Sequence, residues 1–479
     1  MRARIRGGLD RRMVLLAGLL AGVAAAVAGL AVASPRAQAL ATGVVFTTIC
    51  TCAVVYHGFR NGRRDLFSPP VLMLSYMALG IGVKGLADLL TSASKISAVA
   101  DPSSADFADL LTSVFLHSLL AVLALLAGYH LARPRRAGAP LTPAPPLEPQ
   151  PVRVVLAAGA AIMAMAVAYF ISRLGTAIIY DPGFVAVEGT YGLFWLYPLM
   201  FLALYTWVLP IVNDWSVGRP ARAWQIAGLC LTALLIYTLT SSKSALVNAA
   251  LLLVVCRHYA VRPVPIRTLL FLAVAFLIAL PVLYLHRAIG LSTELLRHLD
   301  WKTLTAGAQI FLGRSYLADS FGAVLLYTPR VYPYQYGAPW LELLYFWVPR
   351  AWWPTKPLTF SIGFGSTYFS SFEQGKLSFI SPTLPGDAYL NFGTIGVFGV
   401  FLVLGFALRW WYERMVGSRP RPETVLLYAA TVYWIALGAE QTIAVDGGLV
   451  LSYLSPVVLM VMLARGRFPR SGPTAAPAG

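Results

Sequence analysis

The chain has 479 residues, of which 58% are hydrophobic and 12% charged, about half the charged share of a soluble domain, which runs near 25%. That excludes a soluble enzyme and predicts an all-α polytopic membrane protein, because apolar stretches near twenty residues long, each able to cross a hydrocarbon core about 30 Å thick, recur along the chain. A net charge of +17, from 37 Lys+Arg and 20 Asp+Glu, suggests nucleic acid only until its distribution is examined.

In chain order, about twelve spans are predicted: 13–33, 40–56, 70–90, 110–132, 152–172, 191–212, 224–240, 245–259, 269–286, 388–411, 425–441 and 447–464. With the N-terminus inside, the segments 1–12, 60–65, 133–153, 213–222, 257–267, 409–423 and 465–470 carry 24 basic and 6 acidic residues, and the remainder 13 and 14. This asymmetry follows the positive-inside rule and predicts both termini in the cytoplasm. The basicity therefore encodes topology, and no nucleic-acid partner is expected. Arg11-Arg12 and the apolar run after them fit a retained signal-anchor better than a cleaved signal, whose apolar region is usually 7 to 15 residues.

The chain reads as one integral membrane domain over 1–479 with three special segments. Residues 133–151 are proline-dense and predict an extended cytoplasmic linker. Residues 470–479 predict a disordered tail. Residues 287–387 form a large external loop. The four cysteines, Cys50, Cys52, Cys230 and Cys256, lie in or at the ends of spans with no disulfide or zinc spacing, so neither is expected. Gly80-Ile81-Gly82-Val83-Lys84-Gly85 matches a dinucleotide fingerprint, yet it lies mid-span with no preceding strand. Small residues there predict close helix packing.

The external insert holds most of the chemistry. Leucines and aromatics at helical spacing over 291–327 predict amphipathic helices at or above the outer leaflet. From Tyr327 to Trp353 ten of 27 residues are aromatic. The largely apolar run Trp340–Val348 is too short to span and predicts a re-entrant or interfacial piece. The aromatics, Trp352 and Trp353 among them, fit either an interfacial belt or a sugar-binding platform. Their concentration beside Arg330, Arg350 and Lys356 favours the platform, with a lipid-linked, phosphate-bearing sugar as ligand. The insert carries eight basic and six acidic residues, and any one cation alone is more often a surface charge or ion-pair partner. Arg287, Arg350 and Lys356 stand out because each adjoins apolar sequence at the expected membrane surface.

Two stretches carry a family resemblance. Phe346-Trp347-Val348-Pro349-Arg350-Ala351-Trp352-Trp353-Pro354-Thr355-Lys356-Pro357 and, further on, Gly386-Asp387-Ala388-Tyr389-Leu390-Asn391-Phe392-Gly393-Thr394-Ile395-Gly396 resemble the O-antigen polymerase family, the Wzy-type oligosaccharide repeat-unit polymerases. Span number and the long loop extend the likeness over the chain. Lys243, in Ser241-Ser242-Lys243-Ser244, stands where relatives often carry arginine.

The resemblance implies a metal-independent membrane glycosyltransferase without cofactor, in the bacterial cytoplasmic (inner) membrane. It would transfer a glycan from undecaprenyl pyrophosphate to a new undecaprenyl-pyrophosphate-linked repeat unit on the outer face, making O-antigen, capsule or exopolysaccharide. A chain-length regulator and a flippase are the candidate protein partners. An O-antigen ligase-type transferase is the nearest alternative, and a lipid-linked oligosaccharide flippase a further one. Arg350 and Lys356 would stabilise the leaving pyrophosphate. Arg287, Arg314, Arg330, Lys243, Asn391, Trp352 and Trp353 would bind the substrate. The acceptor hydroxyl needs a base, and Asp319, Asp387, Glu440, Asp446, His286 and His298 are the candidates. Asp387 leads because Asn391 lies one turn on along the same helical face, although an Asp there also suits a helix N-cap.

Overall fold

A computed structural model describes residues 34–59, 64–91, 104–132, 147–175, 196–240, 242–289, 301, 317–346, 348, 352–357, 360–361, 363–364, 381–417 and 421–465. Among them every regular element is helical. In chain order the principal helices are α1 (Pro35–Gly58), α2 (Pro69–Thr91), α3 (Ser104–Leu131), α4 (Pro149–Leu174), α5 (Leu196–Ser216), α6 (Ala223–Thr240), α7 (Ser244–Ala260) and α8 (Ile266–Ile289). They continue with α9 (Leu317–Tyr327), α10 (Leu384–Val416), α11 (Pro422–Leu437) and α12 (Ile443–Ala464). Eight of them, α1 to α6, α10 and α12, are long and apolar enough to cross a membrane. The described residues are thus those of an all-helical membrane protein. The remaining predicted spans are not matched in this way. The first lies outside the described residues, and those near 245–259 and 425–441 coincide with the shorter apolar helices α7 and α11.

The helices group into two compact units. The first comprises Met1–Arg135, Leu312–Arg414 and Trp434–Leu449, and the second the rest of the chain. The core of the first is built on α1 to α3, α9 and the start of α10, where Phe46, Met77, Ile81, Phe115, Phe321 and Phe401 are fully buried or nearly so. Glycines set its closest approaches. A Cβ at Gly82 would strike Thr47 of α1, and one at Gly128 of α3 would strike the Leu402 carbonyl of α10. The residues that resemble a dinucleotide fingerprint thus pack helices, and Ala78–Val83 forms a π-helical turn within α2. In the second unit Gly159 of α4 meets Thr206 of α5, and Gly228 of α6 meets Trp207. All four cysteines are free thiols.

Two expectations are corrected. The proline-dense linker is shorter than 133–151, because α4 already starts at Pro149. Prolines in a first helical turn lack only N–H groups that would have no partner within the helix. The part of the insert forming α9 does not lie on a surface. Leu317 to Val324 are all buried, with the helix packed on α2 and α3. Its apolar residues surround Asp319, which pairs with Lys84 inside the unit, so a helical spacing that suits an interface serves here as core.

Candidate functional site

The site is a break in α10. Thr383 initiates the helix, its Oγ1 accepting the Gly386 N–H at 3.2 Å and its carbonyl the Asp387 N–H at 2.8 Å. Thr383, not Asp387, is therefore the N-terminal cap. Two turns later the backbone leaves helical geometry at Phe392 (φ −140°, ψ 17°) and Gly393 (φ 63°, ψ −153°) and then resumes. The second dihedral pair belongs to a region open essentially to glycine alone. Glycine also answers a packing demand, since a Cβ on Gly393 would stand 3.1 Å from the Tyr334 hydroxyl, and the bend carries Gly396 against the Ala388 carbonyl.

A broken helix strands carbonyl groups that have no partner along its own axis. The aromatic loop supplies the missing donors. Gln335 N–H donates to Leu390 O at 3.0 Å and Tyr336 N–H to Asn391 O at 3.2 Å. Gly337 N–H donates to the Asn391 Oδ1 at 2.7 Å. Asn391 in turn donates from Nδ2 to the Asp387 carbonyl at 2.8 Å and to its Oδ1 at 3.0 Å. Asp387 Oδ2 accepts the indole N–H of Trp340 at 3.0 Å and the Ile443 N–H at 2.9 Å. Ile443 opens α12, so the carboxylate stands where the helix dipole favours negative charge. Asp387 and Asn391 are fully buried. Asp387 thus fastens loop, broken helix and α12 together, and a substrate hydroxyl finds no open face of this carboxylate in the conformation described.

Backbone strain gathers at the same place. Tyr336 (φ 47°), Gly337 (φ 87°), Thr383 (φ 70°) and Gly393 all have left-handed φ, against two such residues elsewhere among those described. Such conformations persist only where surrounding contacts over-determine them, and they cluster at functional sites.

Beyond the clasp the loop turns through a short helical stretch, Ala338–Leu341 and Glu342–Tyr345. It seats Leu343 on Gly447 and Phe346 on Gly448. Glu342 is buried. Its Oε2 accepts the Phe360 N–H at 3.2 Å, whereas its Oε1 has no hydrogen-bond partner among the described residues. Burial pushes this carboxyl above its ordinary range, against the smaller opposing pulls of the Phe360 N–H and the Lys356 charge. Lys356 donates to the Phe346 and Val348 carbonyls at 2.9 and 3.0 Å, which closes a loop whose sequence contains Arg350. Trp352 and Tyr336 are the most exposed of the described aromatics of this region, at 78% and 75%, and Trp353 donates to Thr355 Oγ1. Arg330 is exposed on the same loop.

No family model, curated protein or solved structure matches the chain. Of those singled out in the sequence, Asp387, Asn391, Arg330, Lys356, Trp352 and Trp353 all belong to the first unit. Lys243 precedes α7 in the second. Arg314 and Arg350 lie outside the described residues, as do His298 and the side chains of Arg287, His286 and Asp446. Glu440 accepts a hydrogen bond from Tyr76.

Two polar groups escaped the sequence reading. Lys84, within α2, pairs with Asp88 and lies 3.8 Å from Asp319 of α9. His117 of α3 faces the break, its Nε2 3.1 Å from Thr394 Oγ1. The available signal was an ionisable side chain inside a span, which rarely survives there without a bundle-facing role.

Proposed function

We propose that the chain polymerises undecaprenyl-pyrophosphate-linked oligosaccharide repeat units at the outer face of the bacterial cytoplasmic membrane, without a metal. The observation that carries this reading is that the second stretch on which the family resemblance rests, residues 386–396, forms the helix break and the contacts that hold it. Gly386, Asp387, Asn391, Gly393 and Gly396 each have a distinct task there, and Lys356 ties down the Phe346–Val348 backbone next to it in sequence. In this reading Tyr336, Trp352 and Trp353 offer faces on which sugar rings can lie. Arg330 and Arg350 contact the donor pyrophosphate, with Arg314 as a further phosphate ligand. Asp387, Asn391 and Lys356 position these groups. The new glycosidic bond forms as the acceptor oxygen attacks the donor anomeric carbon and the carbon–oxygen bond to pyrophosphate breaks. Guanidinium groups in a partly dehydrated site meet the charge that develops on the leaving group, and loss of one such contact typically lowers the rate 10²- to 10³-fold.

The test is Arg350→Ala in cells, with membrane abundance measured in parallel. Polymerisation predicts surface glycolipid capped by a single repeat unit. Accumulated lipid-linked polymer would indicate ligation instead, and repeat units trapped on the inner face would indicate a flippase. Full-length surface polymer in the variant would remove the pyrophosphate role.

A further inference from the structure

We infer that His117 is the proton acceptor for the attacking hydroxyl, beside the α10 break; this rests on the polymerase reading. The imidazole is held in one tautomer. Nδ1 lies 2.9 Å from the Ser113 carbonyl oxygen, which can only accept, so Nδ1 carries the proton and Nε2 presents a lone pair. That lone pair faces Thr394 Oγ1 at 3.1 Å. A hydroxyl, an imidazole and a fixed orienting acceptor in line form the arrangement by which a base is aimed at an O–H. The ring plane is set by edge-to-face contacts with Tyr389 of α10 at 5.2 Å and Phe321 of α9 at 6.3 Å.

Access and surroundings define the ligand. Thr394 is exposed, and the flanking surface is apolar and open, with Leu116 at 47%, Ile395 at 83% and Phe398 at 46% exposure. A polar pair set in an apolar face suits a molecule with a hydroxyl-bearing headgroup and a long hydrocarbon chain, which is the chemistry of a polyprenyl-linked sugar. Tyr389, whose ring meets His117, is followed on the loop side by Tyr334, the two tyrosine rings lying 6.2 Å apart. In the step proposed, a sugar hydroxyl displaces Thr394 from Nε2. Its oxygen bonds to the donor anomeric carbon as its proton passes to Nε2. Undecaprenyl pyrophosphate leaves with the electron pair of the broken carbon–oxygen bond, and His117 then releases the proton to water.

Glutamine can keep a hydrogen bond to Thr394 but cannot accept a proton near neutral pH, so His117→Gln separates structure from chemistry. The full chain is placed in lipid nanodiscs with undecaprenyl-pyrophosphate-linked repeat units extracted from cells lacking the protein. Polymer formation by His117→Gln is expected to fall at least 10²-fold, the usual worth of a positioned base, with KM within about threefold and unchanged membrane abundance. In parallel, wild-type protein is treated with diethylpyrocarbonate, which modifies accessible neutral imidazoles, and the His117 peptide is followed by mass spectrometry. The lipid-linked repeat units should protect it. Normal polymerisation by His117→Gln would overturn the inference while leaving the polymerase reading intact. Protection of His117 in a wild-type protein that makes no polymer would overturn that reading and retain His117 and Thr394 as part of a lipid-linked glycan site. Absence of both protection and polymer would reject both.

Discussion

Asp387→Asn tests whether the clasp at the α10 break is held as described. The carboxylate accepts three donors, from Trp340, Ile443 and Asn391, and the amide that replaces it offers one oxygen. Turned toward Trp340 and Ile443, that oxygen preserves two bonds but sets an NH2 group against the Asn391 NH2. Rotating Asn391 to relieve the clash takes its oxygen off the Gly337 N–H, which it accepts at 2.7 Å. Either arrangement strands a buried donor, at about 1–3 kcal/mol, and exchanges a charge-assisted bond for a neutral one, at about 1 kcal/mol more. A net cost of about 2–4 kcal/mol should appear as clasp opening, which native-state hydrogen exchange reads directly. The Gln335, Tyr336 and Gly337 amides should exchange about 30- to 700-fold faster, while amides in the middle of α3 keep their rates, at about 1.4 kcal/mol per tenfold change. Trp340→Phe, which removes one donor and retains the ring, should give a smaller acceleration of the same three amides. Exchange within threefold of wild type in a folded Asp387→Asn protein would refute the clasp. A cap role would also leave those amides alone, because Asn and Asp cap about equally well.

Two further outcomes follow from the same geometry. Gly393→Ala imposes a Cβ on a backbone conformation that costs about 1–3 kcal/mol for other residues and places it against Tyr334, so the thermal midpoint in detergent should fall by several degrees; an unchanged midpoint would contradict the break. Burial raises the Glu342 carboxyl, so the unfolded chain releases this proton at lower pH than the folded one, and stability is fully present in acid and declines as pH rises through the folded value. Glu342→Gln should flatten that decline in a melting series from pH 5 to 8 and raise the midpoint at pH 8, and parallel slopes for the two proteins would refute it.

Much of the membrane architecture was legible in the sequence because hydropathy over some twenty residues is a local property. The helices α1 to α6, α10 and α12 fall on predicted spans with ends shifted by a few residues. The Asp387–Asn391 pair was legible too, since four residues on a helix bring side chains to one face. What Asp387 holds was not, because Trp340 and Ile443 lie 47 and 56 residues away in sequence and no local pattern records such pairings. The break at Phe392–Gly393 was hidden for a related reason. Glycine within an apolar run reads equally well as close helix packing, and only the loop that docks on the freed carbonyls tells the two apart. His117 stayed out of view because a single histidine in an apolar stretch gives no periodic signal.

The burial of α9 bears on how this protein can be re-engineered. A segment lodged between α2 and α3, with Asp319 near Lys84, cannot be exchanged as though it were a surface appendage. Chimeras that graft a foreign insert would leave Lys84 and Asp88 facing a mismatched helix. Exchanges that carry α2 and α3 along with the insert would preserve the native junction. Because α1 packs on α2 and α3 and the start of α12 is fastened to the insert, the breakpoints for such grafts belong before Pro35 and after Ala464.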